Sequence, residues 1–233
     1  MRQARRRSKS SNVLIGAELD FVCSQVRDYY AAKLAGYGAT PRGVDWACKT
    51  TQSLRFTQLL RLCPTDAPFS LIDLGCGYGA LATFLVKQRS AVGVEYLGID
   101  LSPEMVRRGR RRHAGDCNVR FVAGRNVLET SDYVVASGIM NVMVGFSPLT
   151  WEKFVSSMLI DMHRMSKAGF AVNFLKKPGH PSQRGQLYCT TPGKWARFCE
   201  RELGCSIEIV DDYGLPEFTL LARTASAISE ASR

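Results

Sequence analysis

The sequence predicts an α/β fold: a seven-stranded, mostly parallel sheet with helices between its strands, a C-terminal antiparallel hairpin and a helical N-terminal cover. Three observations carry this. Residues 69–79, Phe-Ser-Leu-Ile-Asp-Leu-Gly-Cys-Gly-Tyr-Gly, form an apolar run that breaks into glycines; apolar residues at helical spacing follow (Ala80, Leu81, Phe84, Leu85, Val86), so the stretch reads as strand, tight turn, helix. Strand-like runs at 96–100, 118–123, 132–138 and 170–175 then alternate with helical patterns, the order that builds a parallel sheet. Finally, Ser206 to Val210 and Glu217 to Leu221, joined by Asp211-Asp-Tyr-Gly-Leu-Pro216, read as a closing hairpin.

The chain divides accordingly into a disordered basic tail (1–12), a helical cover (13–64), a ligand-binding α/β domain (65–224) and a frayed end (225–233), and its 233 residues suffice for one well-buried domain. In the cover, Leu19, Val22, Val26 and Tyr29-Tyr30 repeat at three-to-four spacing, as do Leu54, Leu59, Leu60 and Leu62, with a loop over 36–43 between them. Gln52 and Arg55 fall one turn apart on one helix face and can reach the same ligand. The first strand carries one acid, Asp73. The glycines after it permit positive φ and close approach of a ligand, and the helix N-terminus that follows offers unpaired N–H donors to an anionic group.

Gly75-x-Gly77-x-x-Ala80 also satisfies the loose dinucleotide pattern. Asp73 tilts the choice, because a carboxylate facing a pyrophosphate is of little use, whereas it suits a ligand bearing an ammonium group. The second strand ends in Asp100, near the spacing from which an acid reaches ribose hydroxyls. Ser102-Pro103-Glu104 starts the next helix, with serine as N-cap and proline in the first turn. A short strand (118–123) then turns at Gly124-Arg125-Asn126. The strand from Asp132 continues through Ser137 and Gly138 to Asn141 at the carboxyl edge of the sheet, where open parallel sheets bind ligands. Asn141 either positions an acceptor through its carbonyl or closes a turn. Ser147-Pro148 caps a helix that runs to about Gly169. Polar residues 176–188 follow the fifth strand as an acceptor-binding loop would, and Thr191-Pro192 starts the last helix, ending before Gly204.

These residues resemble the class I S-adenosylmethionine-dependent methyltransferases: Leu71-Ile-Asp-Leu-Gly-Cys-Gly-Tyr-Gly79 is similar to their first motif and Gly98-Ile-Asp-Leu-Ser-Pro-Glu-Met105 to the acidic strand end that follows. The resemblance implies a Rossmann-like domain over 65–223 and S-adenosyl-L-methionine as cofactor. It implies cofactor contacts from Asp73, Gly75, Cys76, Gly77, Gly79, Asp100, Leu101 and Met105, and from Ser137 and Gly138 at the fourth strand. Near the third strand the family places an acid or amide against the adenine amine; Arg125 stands where aspartate is common, so only Asn126 is carried over. Arg55 is either a partner of the cofactor carboxylate or an ordinary surface arginine. Gly43-Val-Asp-Trp46, Gln52-x-x-Arg55-Phe56 and Asp212-Tyr-Gly-Leu-Pro-Glu-Phe-Thr219 are also similar to a subgroup whose acceptors are mostly unassigned.

An activated methyl donor leaves the protein chiefly to hold the acceptor in line with the methyl–sulfur bond. A hydroxyl or protonated amine acceptor would need a base. His180 in the polar loop is the best-placed histidine for that, or else a solvated loop residue; His113 and His163 read as structural. Tyr30 and Tyr188 are further candidates for orienting an acceptor. The expected activity is methyl transfer to an O or N atom of a small molecule, the alternatives being an RNA or protein methyltransferase using the basic clusters, or a cofactor-binding protein without catalysis.

The net charge of +10 equals two clusters, Arg2, Arg5, Arg6, Arg7 and Lys9 in the tail and Arg107, Arg108, Arg110, Arg111 and Arg112 on one helix, so the rest is balanced. Such runs are usually solvated faces, and nucleic acid is a possible but not favoured partner. No apolar run approaches the roughly 18 residues of a membrane span, and no signal-peptide core follows the basic start, so a cytoplasmic protein without membrane association is expected. Eight scattered cysteines without Cys-x-x-Cys spacing predict no metal and reduced thiols. Cys76, inside the glycine turn, reads as a small packing residue rather than a nucleophile.

Overall fold

The computed structural model describes residues 13–46, 48–88, 93–177 and 186–225. The basic tail, His180 and most of the C-terminal end lie outside the described residues. Helix α1 (Gly16–Tyr37) buries Leu19, Val22, Cys23, Val26 and Leu34, the stripe set by its three-to-four spacing. The loop expected over 36–43 contains a 3-10 turn, Pro41–Val44. Helix α2 (Lys49–Leu59) buries Phe56 and Leu59 but also Gln52 and Arg55, and a 3-10 turn, Leu60–Leu62, extends it.

The α/β unit runs β1 (Phe69–Leu74), α3 (Ala80–Gln88), β2 (Val94–Asp100), α4 (Pro103–Arg112), β3 (Val119–Ala123), β4 (Ser131–Ala136), α5 (Pro148–Met165), β5 (Ser166–Lys176), β6 (Cys189–Thr190), α6 (Pro192–Leu203), β7 (Ser206–Val210) and β8 (Glu217–Arg223). The sheet order is β3-β2-β1-β4-β5-β8-β7, with β6 paired to β5 off this path. Strands β1 to β5 are parallel, and β8 lies antiparallel to both β5 and β7. The seven strands read from the sequence form this continuous Rossmann-like path. The two-residue β6 lies just past the polar stretch 176–188 and is too short to carry a period.

Helix starts follow their capping residues. Ser102 Oγ accepts from the Met105 N–H at 3.3 Å and Ser147 Oγ from the Thr150 N–H at 3.2 Å, each with proline next in sequence. One boundary differs: α5 stops at Met165 rather than near Gly169, and β5 begins at Ser166. Gly169 is a strand residue because β5 and β8 meet closely there, a Cβ on it lying 2.3 Å from the Ala222 carbonyl oxygen.

Side-chain alternation sends each strand's apolar residues into two layers. Ile72, Val134, Phe170, Val172 and Leu220 pack with α1, α5 and α6, and Leu71, Tyr96, Val135, Ala171 and Leu221 with α2, α3 and α4. The strand order reverses direction between β1 and β4, which opens a crevice at their carboxyl ends. The cover lies over that crevice.

Candidate functional site

A cavity of about 550 Å3 lies between the helical cover and the carboxyl edge of the sheet, within the usual range of small-ligand pockets. Its floor is the glycine turn. Gly75, Gly77 and Gly79 have φ of 75°, 55° and 81°, a region closed to most side-chain-bearing residues. The Gly75 and Cys76 N–H groups donate to the Ile99 carbonyl at 2.8 and 3.0 Å, which fastens the turn to the end of β2.

Asp100 ties this turn to the next loop. Its Oδ2 accepts from the Gly77 N–H and its Oδ1 from the Ser102 N–H, both at 2.8 Å. Each oxygen has one lone pair left for a ligand hydroxyl. Burial pushes its carboxyl up to about 6, against the downward pull of the two N–H donors. Asp73 is buried and accepts from the Tyr96 hydroxyl at 2.6 Å. Burial raises it to about 7; the Tyr96 hydrogen bond lowers it and nearby Asp100 adds to the rise. A cationic group entering the cavity would restore its charge.

Asp73, Gly75, Cys76 and Gly77 all line the cavity, as do Asp100, Leu101 and Met105 beyond β2. Burial holds the Cys76 thiol well above its ordinary value, so its reactive thiolate is disfavoured. Gly79 stands outside the lining. Its carbonyl oxygen is 3.2 Å from His113 Nε2, which also lies 3.1 Å from Thr83 Oγ1, while His113 Nδ1 sits 2.7 Å from Asp116. A Cβ on Gly79 would meet the Phe121 ring at 2.7 Å. This glycine is therefore crowded from below by Phe121 and His113.

Asn126 also falls outside the lining. It is exposed and donates to Asp161 at 3.4 Å, while its neighbours Gly124 and Arg125 face the cavity. Arg125 is itself 3.3 Å from Asp161. Tyr188 is buried away from the cavity with its hydroxyl donated to Glu152 at 3.2 Å. Tyr30 and Gln52 are in the wall, and burial drives the Tyr30 phenol far up, so it stays a neutral hydroxyl.

At β4 the site gathers residues from both ends of the chain. Ser137, Gly138 and Asn141 line the cavity. Gly138 has φ 81°, and a Cβ on it would be 2.3 Å from Trp46 Cζ2, so the indole rests directly on the turn. The Arg55 guanidinium carbon is 4.1 Å from the Trp46 ring centroid. Arg55 Nε donates to Glu217 Oε2 at 2.7 Å, Nη2 pairs with Glu217 Oε1, and Nη1 is buried without a hydrogen-bond partner among the described residues. Arg55 is thus neither a surface arginine nor a freely available one. Glu217 Oε2 also accepts from Asn173 Nδ2 at 3.2 Å, and Asn173 Oδ1 accepts from the Gly138 N–H at 2.9 Å. Ser137 Oγ and Asn141 Oδ1 are likewise buried without partners among the described residues. Unmet buried polar atoms cost free energy, and three of them lining one cavity fit a polar ligand.

The sequence pointed at Trp46 and Glu217 only as members of unexplained motifs, and Asn173 gave no signal. The basic helix is mostly spoken for: Arg107 and Arg108 pair with Glu104, Arg110 donates to the Phe121 carbonyl at 2.7 Å, and Arg112 lies 4.7 Å from the Tyr78 ring centroid. Among the described residues no cluster of His, Cys, Asp and Glu could hold a metal ion, and no helix is long and apolar enough to cross a membrane.

Comparison with known proteins gives a consistent result. Residues 72–162 match the family described as a methyltransferase domain. The chain is 38% identical to "Putative methyltransferase Rv1506c" of Mycobacterium tuberculosis (strain ATCC 25618 / H37Rv) over 168 residues, 72% of this chain and 100% of that protein. Among solved structures, it resembles magnesium protoporphyrin IX methyltransferase from Synechocystis PCC 6803 with bound SAH (TM-score 0.61, 14% identity, 89% of this chain and 100% of that one). It likewise resembles the N-methyltransferase NodS from Bradyrhizobium japonicum WM9 in complex with S-adenosyl-L-homocysteine (TM-score 0.61, 14% identity, 86% and 99%).

Proposed function

The chain belongs to the S-adenosylmethionine-dependent methyltransferases, and from that premise we propose that it methylates an O or N atom of a small-molecule acceptor by in-line displacement. The observation that carries the acceptor class is the roof: α1 and the segment bearing Trp46 lie over the carboxyl edge, so Tyr30, Trp46, Leu187 and Pro216 surround a cavity of about 550 Å3. Such an enclosure suits a compact, partly apolar acceptor. The structural neighbours named above include enzymes acting on small molecules, and four of five arginines on α4 are engaged locally, which leaves little of that cluster for phosphates.

The cofactor supplies a methyl group already activated on a sulfonium. The residues divide the remaining work. Asp100 receives the ribose hydroxyls with the lone pairs left over from Gly77 and Ser102. Asp73 receives the ammonium, and Arg55 Nη1 with Ser137 Oγ receives the carboxylate, which would satisfy two of the three orphaned atoms. Leu101 and Met105 wall the adenosine, with Gly124 and Arg125 nearby. Asn141 Oδ1 accepts a hydrogen from the acceptor nucleophile and so aims its lone pair at the methyl group. Orientation of this kind accounts for several kcal/mol of barrier lowering (roughly 7–11 at best).

Calorimetric titration with S-adenosylmethionine, S-adenosylhomocysteine and NAD, followed by transfer from labelled methyl donor into small molecules, RNA and protein, tests the reading. Binding of the first two and label in the small-molecule fraction are expected. Label in precipitated RNA or protein would overturn the acceptor class.

A further inference from the structure

Arg55 and Glu217 are buried deeply, with 7% and 1% of their surface exposed, and Asn173 is fully enclosed. Together they form a relay from the cover to the β4 turn. The relay begins at the Trp46 ring, which lies against one face of the Arg55 guanidinium and also rests on Gly138. Glu217 grips the guanidinium edge made by Nε and Nη2. Asn173 then holds Glu217 with one end of its amide and the Gly138 N–H with the other. A guanidinium under the indole and gripped along its Nε–Nη2 edge has its Nη1 end left, and Nη1 is the nitrogen without a partner among the described residues.

We infer that Glu217 and Asn173 are positioning residues that aim Arg55 Nη1 at the carboxylate of the cofactor's amino-acid end, resting on the cofactor reading above. Glu217 is an unusual choice if counter-charge were its only task, because a carboxylate beside Arg55 weakens the attraction for a second carboxylate. The bidentate fork instead fixes direction: planar, two-point Arg–carboxylate pairs are geometrically specific. Asn173 makes the direction relative to the methyl-transfer site, since the same amide sets the Gly138 turn next to Ser137 and Asn141. The cover and the sheet are thus registered through one buried chain of contacts.

The test compares two ligands on the full-length protein: S-adenosylhomocysteine, which carries the amino-acid end, and 5′-methylthioadenosine, which has the adenosine and sulfur without it. For Glu217→Gln and Asn173→Ala, the Kd for S-adenosylhomocysteine should rise about tenfold, equivalent to about 1.4 kcal/mol, while that for methylthioadenosine stays within about twofold. Equal weakening of both ligands would mean a merely structural role and overturn the inference. Unchanged or tighter S-adenosylhomocysteine binding in Glu217→Gln would overturn it too, by showing that Glu217 acts as counter-charge alone. Should the single variants fail to fold, the double substitution Arg55→Met with Glu217→Leu serves, because apolar replacement of a buried pair is often neutral for stability; it should weaken S-adenosylhomocysteine about tenfold and leave methylthioadenosine within about twofold, the remaining preference being that of Asp73 for the ammonium, and unchanged S-adenosylhomocysteine binding would refute the assignment. Wild-type protein that binds neither ligand would instead refute the cofactor reading itself.

Discussion

With Asp73 receiving the cofactor ammonium as proposed, its raised carboxyl should make cofactor binding a proton-linked event. Burial lifts Asp73 to about 7 in the unliganded site. Only its ionised form offers a charge to the ammonium of the ligand, which stays protonated throughout this range, and the new ion pair then depresses the carboxyl. From that value the ionised fraction is about 0.9 at pH 8 and about 0.1 at pH 6, so the Kd for S-adenosylhomocysteine should rise about tenfold between them. At pH 7 binding should release about half a proton, measurable by calorimetry in buffers of different ionisation heat. Asp100, lifted to about 6, is about half protonated at the acid end of that window and adds at most about a further twofold there. Asp73→Asn keeps the shape and still accepts from Tyr96, so it should bind weakly and with little pH dependence from 6 to 8. A wild-type affinity flat across the window, or an Asp73→Asn variant matching wild type at pH 8, would show that Asp73 does not receive the ammonium.

The same two carboxyls should shape stability without ligand, with the opposite sense. Their folded values lie above the ordinary value of 3.8, so the stability they contribute is fully present below that value and is lost as pH rises through about 6 and about 7; the difference in Tm between wild type and Asp73→Asn should therefore favour wild type more at pH 5 than at pH 8 in thermal melts. Gly138→Ala should fold with a loss of about 2–4 kcal/mol in chemical denaturation, combining a left-handed alanine of roughly 1–2 kcal/mol with displacement of Trp46, and should weaken S-adenosylhomocysteine more than tenfold; near-wild-type binding would show that the indole's seat on the turn is dispensable. Asp100→Ala removes the acceptor of two backbone N–H groups and two hydroxyl sites, so binding should fall by about a hundredfold or more at roughly 1.5–3 kcal/mol per hydrogen bond to a charged group, and intact binding would overturn the ribose assignment. Arg111→Ala combined with removal of residues 1–12 should leave methyl transfer and its salt dependence unchanged, whereas a steep salt slope lost in this variant would favour a nucleic-acid acceptor.

What could be read in the sequence was what neighbouring residues encode together. The glycine turn, Asp73 and Asp100 declared themselves because strand, turn and acid lie within about thirty residues and their spacing is fixed by backbone geometry. Gly79 lies outside the cavity lining for a related reason: spacing shows that a glycine is needed but not which side of the turn crowds it, and here Phe121 and His113 do so from beneath. Asn126 was chosen by analogy with an acid its neighbour lacks, and the short turn after β3 carries its amide outward to Asp161. Arg55 was visible, but the partner that decides its behaviour lies 162 residues away. Trp46 and Asn173 act through contacts that no local period reveals, and β6 was too brief to show one.

That separation in sequence has a consequence for how the protein acquires its ligand. Arg55 and Glu217 meet only when β8 has slotted in beside β5, so a chain that has assembled β1 to β4 but not its closing hairpin holds the glycine turn yet not the completed grip. Recognition is therefore a property of the whole cooperative unit, and occupancy should act on the global folding equilibrium rather than on a local opening. A pool of cofactor at a hundred times its Kd would add about 2.7 kcal/mol to the stability of every element at once, and amide exchange in β8 and α2 should slow together when ligand is supplied.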